Sequence, residues 1–365
     1  MRVRRVGRWL QVPVVLVVVF FAVGGCRDEP TVSFFDSGLE AAVREAIDAP
    51  AGPIRLSAVR SLKELDAVGR GISRLDGLEA CTSLVRLDLA ENHVSDLRPL
   101  ADLRSLEVLI LRSNEVASVE PLGGLTGLRI LDLDFNSVVD AAPLAPLTNL
   151  TWLGLWNSRI EDLEPLRGLT GLTELGLGGN PVNDPTPLRE MTSLRWLGLP
   201  NTGIDDLAFL AGMVDLVRLG LSGNRIDDLS PLEGLVNLEK LGLDSNRIVD
   251  LTPLSRLEEL HELSLWGNRI EEIAPLARLV HLEKLWVDRN PIEEIRAVAG
   301  MVGLRTLGLS QTNVTDLSPL LQNPGLSEGD EIDLGGTPVD LAEGSAARDV
   351  VERLLDRGVI VHLSP

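Results

Sequence analysis

Tyrosine is absent from this 365-residue chain, aromatics make up only 3% of it, and cysteine and histidine number two and four. Two cysteines cannot build a disulfide scaffold, and four scattered histidines do not suggest a zinc site. Bases are short as well: 34 Lys and Arg face 54 Asp and Glu, a formal charge of −20. Gripping phosphates needs clustered cations, so nucleic acid is excluded as a main partner. Apolar residues are abundant at 44%, too many for a disordered chain and enough for a substantial core. With so few aromatics, the place of each Trp becomes informative.

Met1 to Arg8 holds four arginines and no acid, Val12 to Val23 is an apolar run, and Gly24-Gly25-Cys26 follows. A charged start, a short greasy middle and a small-residue end describe a secretory signal over residues 1–25. The run falls short of the roughly 20 apolar residues that span a bilayer. Val23-Gly24-Gly25-Cys26 resembles a bacterial lipobox, though without Leu at its first place. That resemblance implies cleavage before Cys26 and lipidation of its thiol; an uncleaved anchor or an ordinary signal peptide are the alternatives. Cleavage would move the side-chain charge from −20 to −24. Residues 26–33 then read as a polar tether. Cys81, left alone, is expected as a small buried residue, with a reactive thiol as the other possibility.

A fixed stride governs the rest. Asn92, Asn114, Asn136, Asn180, Asn224, Asn246, Asn268 and Asn290 fall on one 22-residue grid, with Ser158, Thr202 and Thr312 at the gaps. Leu fills all eleven places from Leu84 to Leu304 and from Leu87 to Leu307. The column from Leu89 to Leu309 breaks only at Val287, and that from Val94 to Val314 is Val or Ile throughout. Each unit reads L-x-x-L-x-L-x-x-N-x-I-x-D-L-x-P-L-x-x-L. The L-x-L step alternates as a short strand does, and one unit cannot bury its leucines without neighbours. The Asn column is expected as a buried structural ladder bonding adjacent turns, with weaker rungs at Ser158 and the Thr positions. An acid stands four places after the grid position in ten of eleven units (Asp96, Asp140, Asp162 and on, with Ser118 the gap), and Pro lies three further in nine of eleven. That pairing starts a tight helical turn. A calcium ladder would need more oxygens than one carboxylate per rung, so the column is assigned to structure.

These features resemble the leucine-rich repeat family, and the 22-residue N-x-I-x-D-L-x-P-L unit is similar to its internalin-like bacterial class. The resemblance implies an α/β fold: a right-handed, curved solenoid of about 13 rungs with a parallel sheet on its concave face. The immunoglobulin-like module and wall-sorting tail usual in that class are not present in this sequence, so host-cell invasion is not carried over. The repeats are expected over residues 62–340, opening on a degenerate rung with Arg70 at the Asn place. An amino-terminal helical cap is expected over 34–61, with Asp36 capping a helix that buries Leu39, Val43, Ala46 and Ile47. A carboxy-terminal cap over 341–365 should hold a helix burying Ala346, Val350, Val351, Leu354 and Leu355, stopped by Gly358, and then a strand.

The strand residues flanking the leucines make 33 outward places, and Trp152, Trp156, Trp196, Trp266 and Trp286 all lie among them. Gly154, Gly176, Gly198, Gly220, Gly242 and Gly308 hold six of the eleven central ones. Trp152 and Trp156, with Trp196 two rungs on, are expected to wall a shallow glycine floor, and Trp266 and Trp286 to form a second group. The competing reading is that the indoles merely shield the glycine gaps. These places carry five bases and seven acids, so the acidity lies mainly elsewhere.

The expected function is a non-enzymatic recognition module, exported and lipid-anchored to the bacterial envelope through Cys26, a monomer binding a protein or peptide on the concave face. The five Trp would be anchors, and Arg218, Lys240 and Lys284 polar contacts. Sugar rings stacking on Trp, and a purely structural envelope role, are the alternatives. No hydrolase, zinc-protease or phosphate-loop motif occurs, and no cofactor or metal is expected.

Overall fold

The computed structural model describes residues 29–363. The signal-like segment and Cys26 lie outside these residues. The described chain opens with β1 (Thr31–Val32), α1 (Ser37–Ala46), β2 (Ile54–Arg55) and α2 (Leu56–Ser61), β1 and β2 forming a small antiparallel pair. Twelve strands then recur along the repeats. They are β3 (Glu64–Asp66), β4 (Arg86–Asp88), β5 (Val108–Ile110), β6 (Ile130–Asp132), β7 (Trp152–Gly154) and β8 (Glu174–Gly176). The array continues through β9 (Trp196–Gly198), β10 (Arg218–Gly220), β11 (Lys240–Gly242), β12 (Glu262–Ser264), β13 (Lys284–Trp286) and β14 (Thr306–Gly308). It closes with α3 (Ser318–Gln322), β15 (Glu331–Asp333), α4 (Ala346–Asp356) and β16 (Ile360–His362).

Strands β3 to β16 form one 14-stranded parallel sheet in which each pairs with its neighbours in sequence. The pairing stays in register, Leu87 beside Leu109 and Leu219 beside Leu241, because every unit has the same length. Short 3₁₀ turns such as Arg98–Leu100 and Ser230–Leu232 line the opposite side. Strands stack at about 4.8 Å, and the bulkier turns open the other side, so the sheet lines the hollow of a solenoid. The leucine columns between the two layers are sealed: the Leu84 and Leu89 columns are at most 1% exposed and the Leu87 column at most 2%.

The asparagine ladder joins each rung to the one before it. Asn136 Oδ1 accepts the Val116 amide at 2.9 Å, and its Nδ2 donates to the carbonyls of Leu111 (2.9 Å) and Leu133 (3.0 Å). Leu111 O also receives Asn114, so each carbonyl serves two rungs. The shorter substitutes reach less. Thr202 and Thr312 donate to Leu199 and Leu309 on their own turn, and Ser158 Oγ is a buried polar atom without a partner. The residue before each ladder position sits in the left-handed region, from Asn157 at φ 49° to Glu91 at φ 59°, with Gly179, Gly223 and Gly267 at the same place. This is the sharp corner that swings the amide inward.

The acidic column is structural in a manner slightly different from the expectation. Asp96, Asp140, Asp162, Asp184, Asp206, Asp228, Asp250 and Asp316 accept the amide two residues on at 2.8–3.0 Å. They sit one place ahead of the helix cap, as Asx turns that lead into it. Glu272 and Glu294 are a methylene too long for this turn and bridge to each other in the parallel sense.

Asp36 caps α1, accepting Gly38 and Leu39 amides, and its other oxygen holds the Ser73 amide of the first rung. Gly38 is required there, since a methyl group would meet the Arg70 carbonyl at 2.5 Å. The buried face is Leu39, Ala42 and Val43; Ala46, expected inside, is exposed. In α4, capped by Ser345, Ala347 replaces Ala346 on the buried face beside Val350, Val351 and Leu354, and Leu355 is 52% exposed. The α1 correction moves the buried alanine by one helical turn along the same stripe, and the α4 correction moves it by one position. Gly358 (φ 83°) ends α4, and β16 then pairs parallel with β15.

Candidate binding face

Three outward columns cross the sheet. Trp152, Trp196, Arg218, Lys240 and Lys284 lie in the first, Trp286 in the middle one, and Trp156 and Trp266 just beyond the strands in the last. All eight sequence-selected side chains are half-buried or exposed. Their grouping differs from the expectation. The rings of Trp156 and Trp196 lie parallel within 5°, their centroids 6.5 Å apart. Trp266 does not group with Trp286; the Arg289 guanidinium lies 4.8 Å from its ring centroid. Arg289 belongs to a turn, so column position alone did not foresee it.

The glycines separate into covered and open. A methyl group at Gly176 would overlap Trp156 Nε1, and one at Gly198 would meet Trp156 Cζ2 at 2.9 Å. Gly154 is covered by the Trp152 ring and the Asp134 carboxylate, and Gly308 by Asp288. An indole covers the first three of these glycines, as the shielding reading expects, whereas a carboxylate covers Gly308; the expected wall beside an empty floor is not found there. Gly220 and Gly242 are different. The nearest atom to a methyl at Gly220 is Gly198 Cα at 3.9 Å, and at Gly242 it is Ser222 Oγ at 3.3 Å. They floor an open basin of about 250 Å³ with Trp196 and Trp286 at its ends and Arg218, Lys240, Glu262 and Ser264 around it.

The basin's charges are partly matched. Lys240 and Lys284 share Glu262 at 3.0 and 3.1 Å, while Arg218 reaches Glu174 at 3.7 Å and lies 5.9 Å from the Trp196 centroid. Desolvation pushes Glu262 upward, but its bonds and charges with the two lysines outweigh this and hold it below the usual carboxylate range. Two bases and one acid line the basin, and Lys284 and Glu174 complete their ion pairs from outside it.

Aspartates of the last column brace the sheet. Asp134, Asp244 and Asp288 accept the amides of Trp156, Trp266 and Ser310 on the following rungs, at 2.8–2.9 Å. Burial is the main cause that pushes Asp134 up to about 6, with neighbouring Asp132 adding to it; Asp132 and Asp288 are also raised chiefly by burial. Sequence reasoning overlooked an apolar patch beside Trp152: Val108 and Ile130 precede it in the first column, and Ile110 lies in the middle one. β-branched residues at outward places were the signal. It also overlooked Phe135, 43% exposed beneath the Arg112 guanidinium at 5.1 Å.

Cys81 fills a leucine place, fully buried, and desolvation pushes its thiol up to about 12. His261 and His281, from different columns, stack on neighbouring turns with centroids 6.4 Å apart. Among the described residues no three His, Cys, Asp or Glu are grouped to hold a metal, and no helix is long and apolar enough to cross a membrane.

Comparison with known proteins places this geometry. A family model described as leucine-rich repeats (two copies) matches residues 214–256 and 258–300. No curated protein matches the chain. An internalin, InlF, from Listeria monocytogenes is 28% identical, with a TM-score of 0.72 over 80% of this chain and 94% of that one. A leucine-rich-repeat protein of Leptospira interrogans is 21% identical, with a TM-score of 0.74 over 84% and 85%. A plant peptide hormone receptor, RGFR1, in complex with RGF2 is 19% identical, with a TM-score of 0.64 over 85% and 60%. The chain carries leucine-rich repeats and is structurally similar to bacterial internalins.

Proposed function

We propose that this leucine-rich-repeat solenoid is a recognition module that takes a protein or peptide ligand on its sheet face, centred on the basin between Trp196 and Trp286. The observation that carries the reading is that Gly220 and Gly242 are the uncovered pair among the six central glycines. Glycine in a strand weakens it, and here no side chain lies within 4 Å of a methyl at Gly220 and only the Ser222 hydroxyl approaches one at Gly242. Trp at either end and cations at the rim are the residue types that anchor interfaces. The plant receptor with RGF2 shares the fold alone. The arginine-rich start, the apolar run and Cys26 support an exported, lipid-anchored placement, and residues 34–61 and 341–365 serve as caps.

Panning a random peptide display library against the full chain supplies ligands for the test. Gly220→Val should fill the basin without straining the fold, since its position has a free Cβ direction. Binding of selected peptides should fall about 30-fold, the scale of a 2 kcal/mol hot spot, with an unchanged unfolding midpoint. Undiminished binding by Gly220→Val and by Trp286→Ala would refute the reading. The parallel Trp156–Trp196 pair favours a second one, sugar rings stacked on an indole platform. If cell-wall saccharides perturb those two indoles while no peptide is selected, that reading replaces the first.

A further inference from the structure

Beyond Trp286 the sheet holds a second cavity, about 360 Å³, lined by Trp286, Asp288, Gly308, Glu331, Asp333 and His362. Its charge balance is unlike that of the basin. There each acid meets a base; here no Lys or Arg pairs with Asp288, Asp333 or Glu331 among the described residues, and Glu331 meets only His362, at 4.0 Å. Asp288 is only 8% exposed. One oxygen accepts the Ser310 amide at 2.8 Å, and the other lies over Gly308, open to the cavity and without a hydrogen bond from any other residue's side chain. The charges that bear on it, Asp333 and Asp244, are both negative. A buried carboxylate normally has a counter-charge, because desolvating an unpaired ion is costly. An indole wall adds an attraction for cations through its π face.

We propose that this pocket receives the guanidinium or ammonium group of a basic side chain on the polypeptide ligand, with Asp288 and Asp333 as counter-charges and Trp286 against the cation. The proposal rests on the peptide-binding reading and names one feature of its partner.

The test uses the full-length protein and n-butylguanidinium as the probe, followed by NMR on the indole N–H resonances. The Trp286 indole should shift saturably while Trp152 stays fixed, and neutral n-butylurea should leave both unmoved. Asp288→Asn keeps an acceptor for Ser310, so the fold is retained. Together with Asp333→Asn it should weaken probe binding at least tenfold. Equal responses to the cation and the urea, or unchanged affinity in a double variant with native circular dichroism, would overturn the proposal. Loss of peptide capture in Gly220→Val does not move this readout, so the two readings fail separately.

Discussion

Replacing Ser158 with Asn should repair a missing rung of the ladder. At an intact rung such as Asn136, one amide side chain accepts from the residue 20 places back and donates to carbonyls 25 and three places back. Transposed to 158, the partners are the Val138 amide and the Leu133 and Leu155 carbonyls. Both carbonyls already accept one ladder asparagine, Asn136 and Asn180, and in intact rungs each accepts two. Ser158 makes none of these bonds; its hydroxyl is buried at 6% exposure and unpartnered. Each of the three new bonds is worth about 1 kcal/mol net and relieving an orphaned hydroxyl about 1 more, while ordering the longer side chain costs about 1, so the variant should gain roughly 3 kcal/mol. Asn136→Ser should lose a similar amount. Urea unfolding followed at Trp fluorescence reads the stability, and hydrogen exchange reads the Val138 amide, which should become protected. If neither changes, the ladder is not an energetic link between rungs and the argument fails.

Asp134 gives a pH-dependent outcome. Its folded value of about 6 stands above the ordinary 3.8, so the folded state holds an extra proton between those values. The stability this provides is present below about pH 4 and is lost as pH rises through 6. Asp134→Asn keeps the bond to the Trp156 amide and removes the buried charge; above pH 7 it should be about 2–3 kcal/mol more stable, with no advantage at pH 3.5. A gain that is flat with pH would exclude the charge as its origin. Cys81 should resist iodoacetamide at pH 8 in the native chain and react in urea, with peptide mapping to separate it from Cys26; rapid native labelling would contradict its burial.

The repeat architecture was legible because its determinants are columnar. A 22-residue stride needs only residue identity to show that Leu87, Leu109 and Leu131 stack, that an amide recurs where turns meet, and that Ser158 is too short. The terminal helices were legible except for one buried alanine in each, Ala42 in place of Ala46 and Ala347 in place of Ala346, and for Leu355. Both outcomes follow from backbone periodicity, which sequence spacing encodes directly.

What the sequence determined by itself was therefore the number and stacking of rungs and the side of the sheet on which each of the five repeat Trp stands. Where each indole lies was decided only by the tertiary structure. Trp156 reaches across two neighbouring strands to cover Gly176 and Gly198, Trp266 is taken up by Arg289 from a turn, and Gly220 and Gly242 are left bare. Side-chain direction depends on rotamers and on neighbours 22 or 44 residues away. A column can assign a face, but it cannot say which space on that face stays empty.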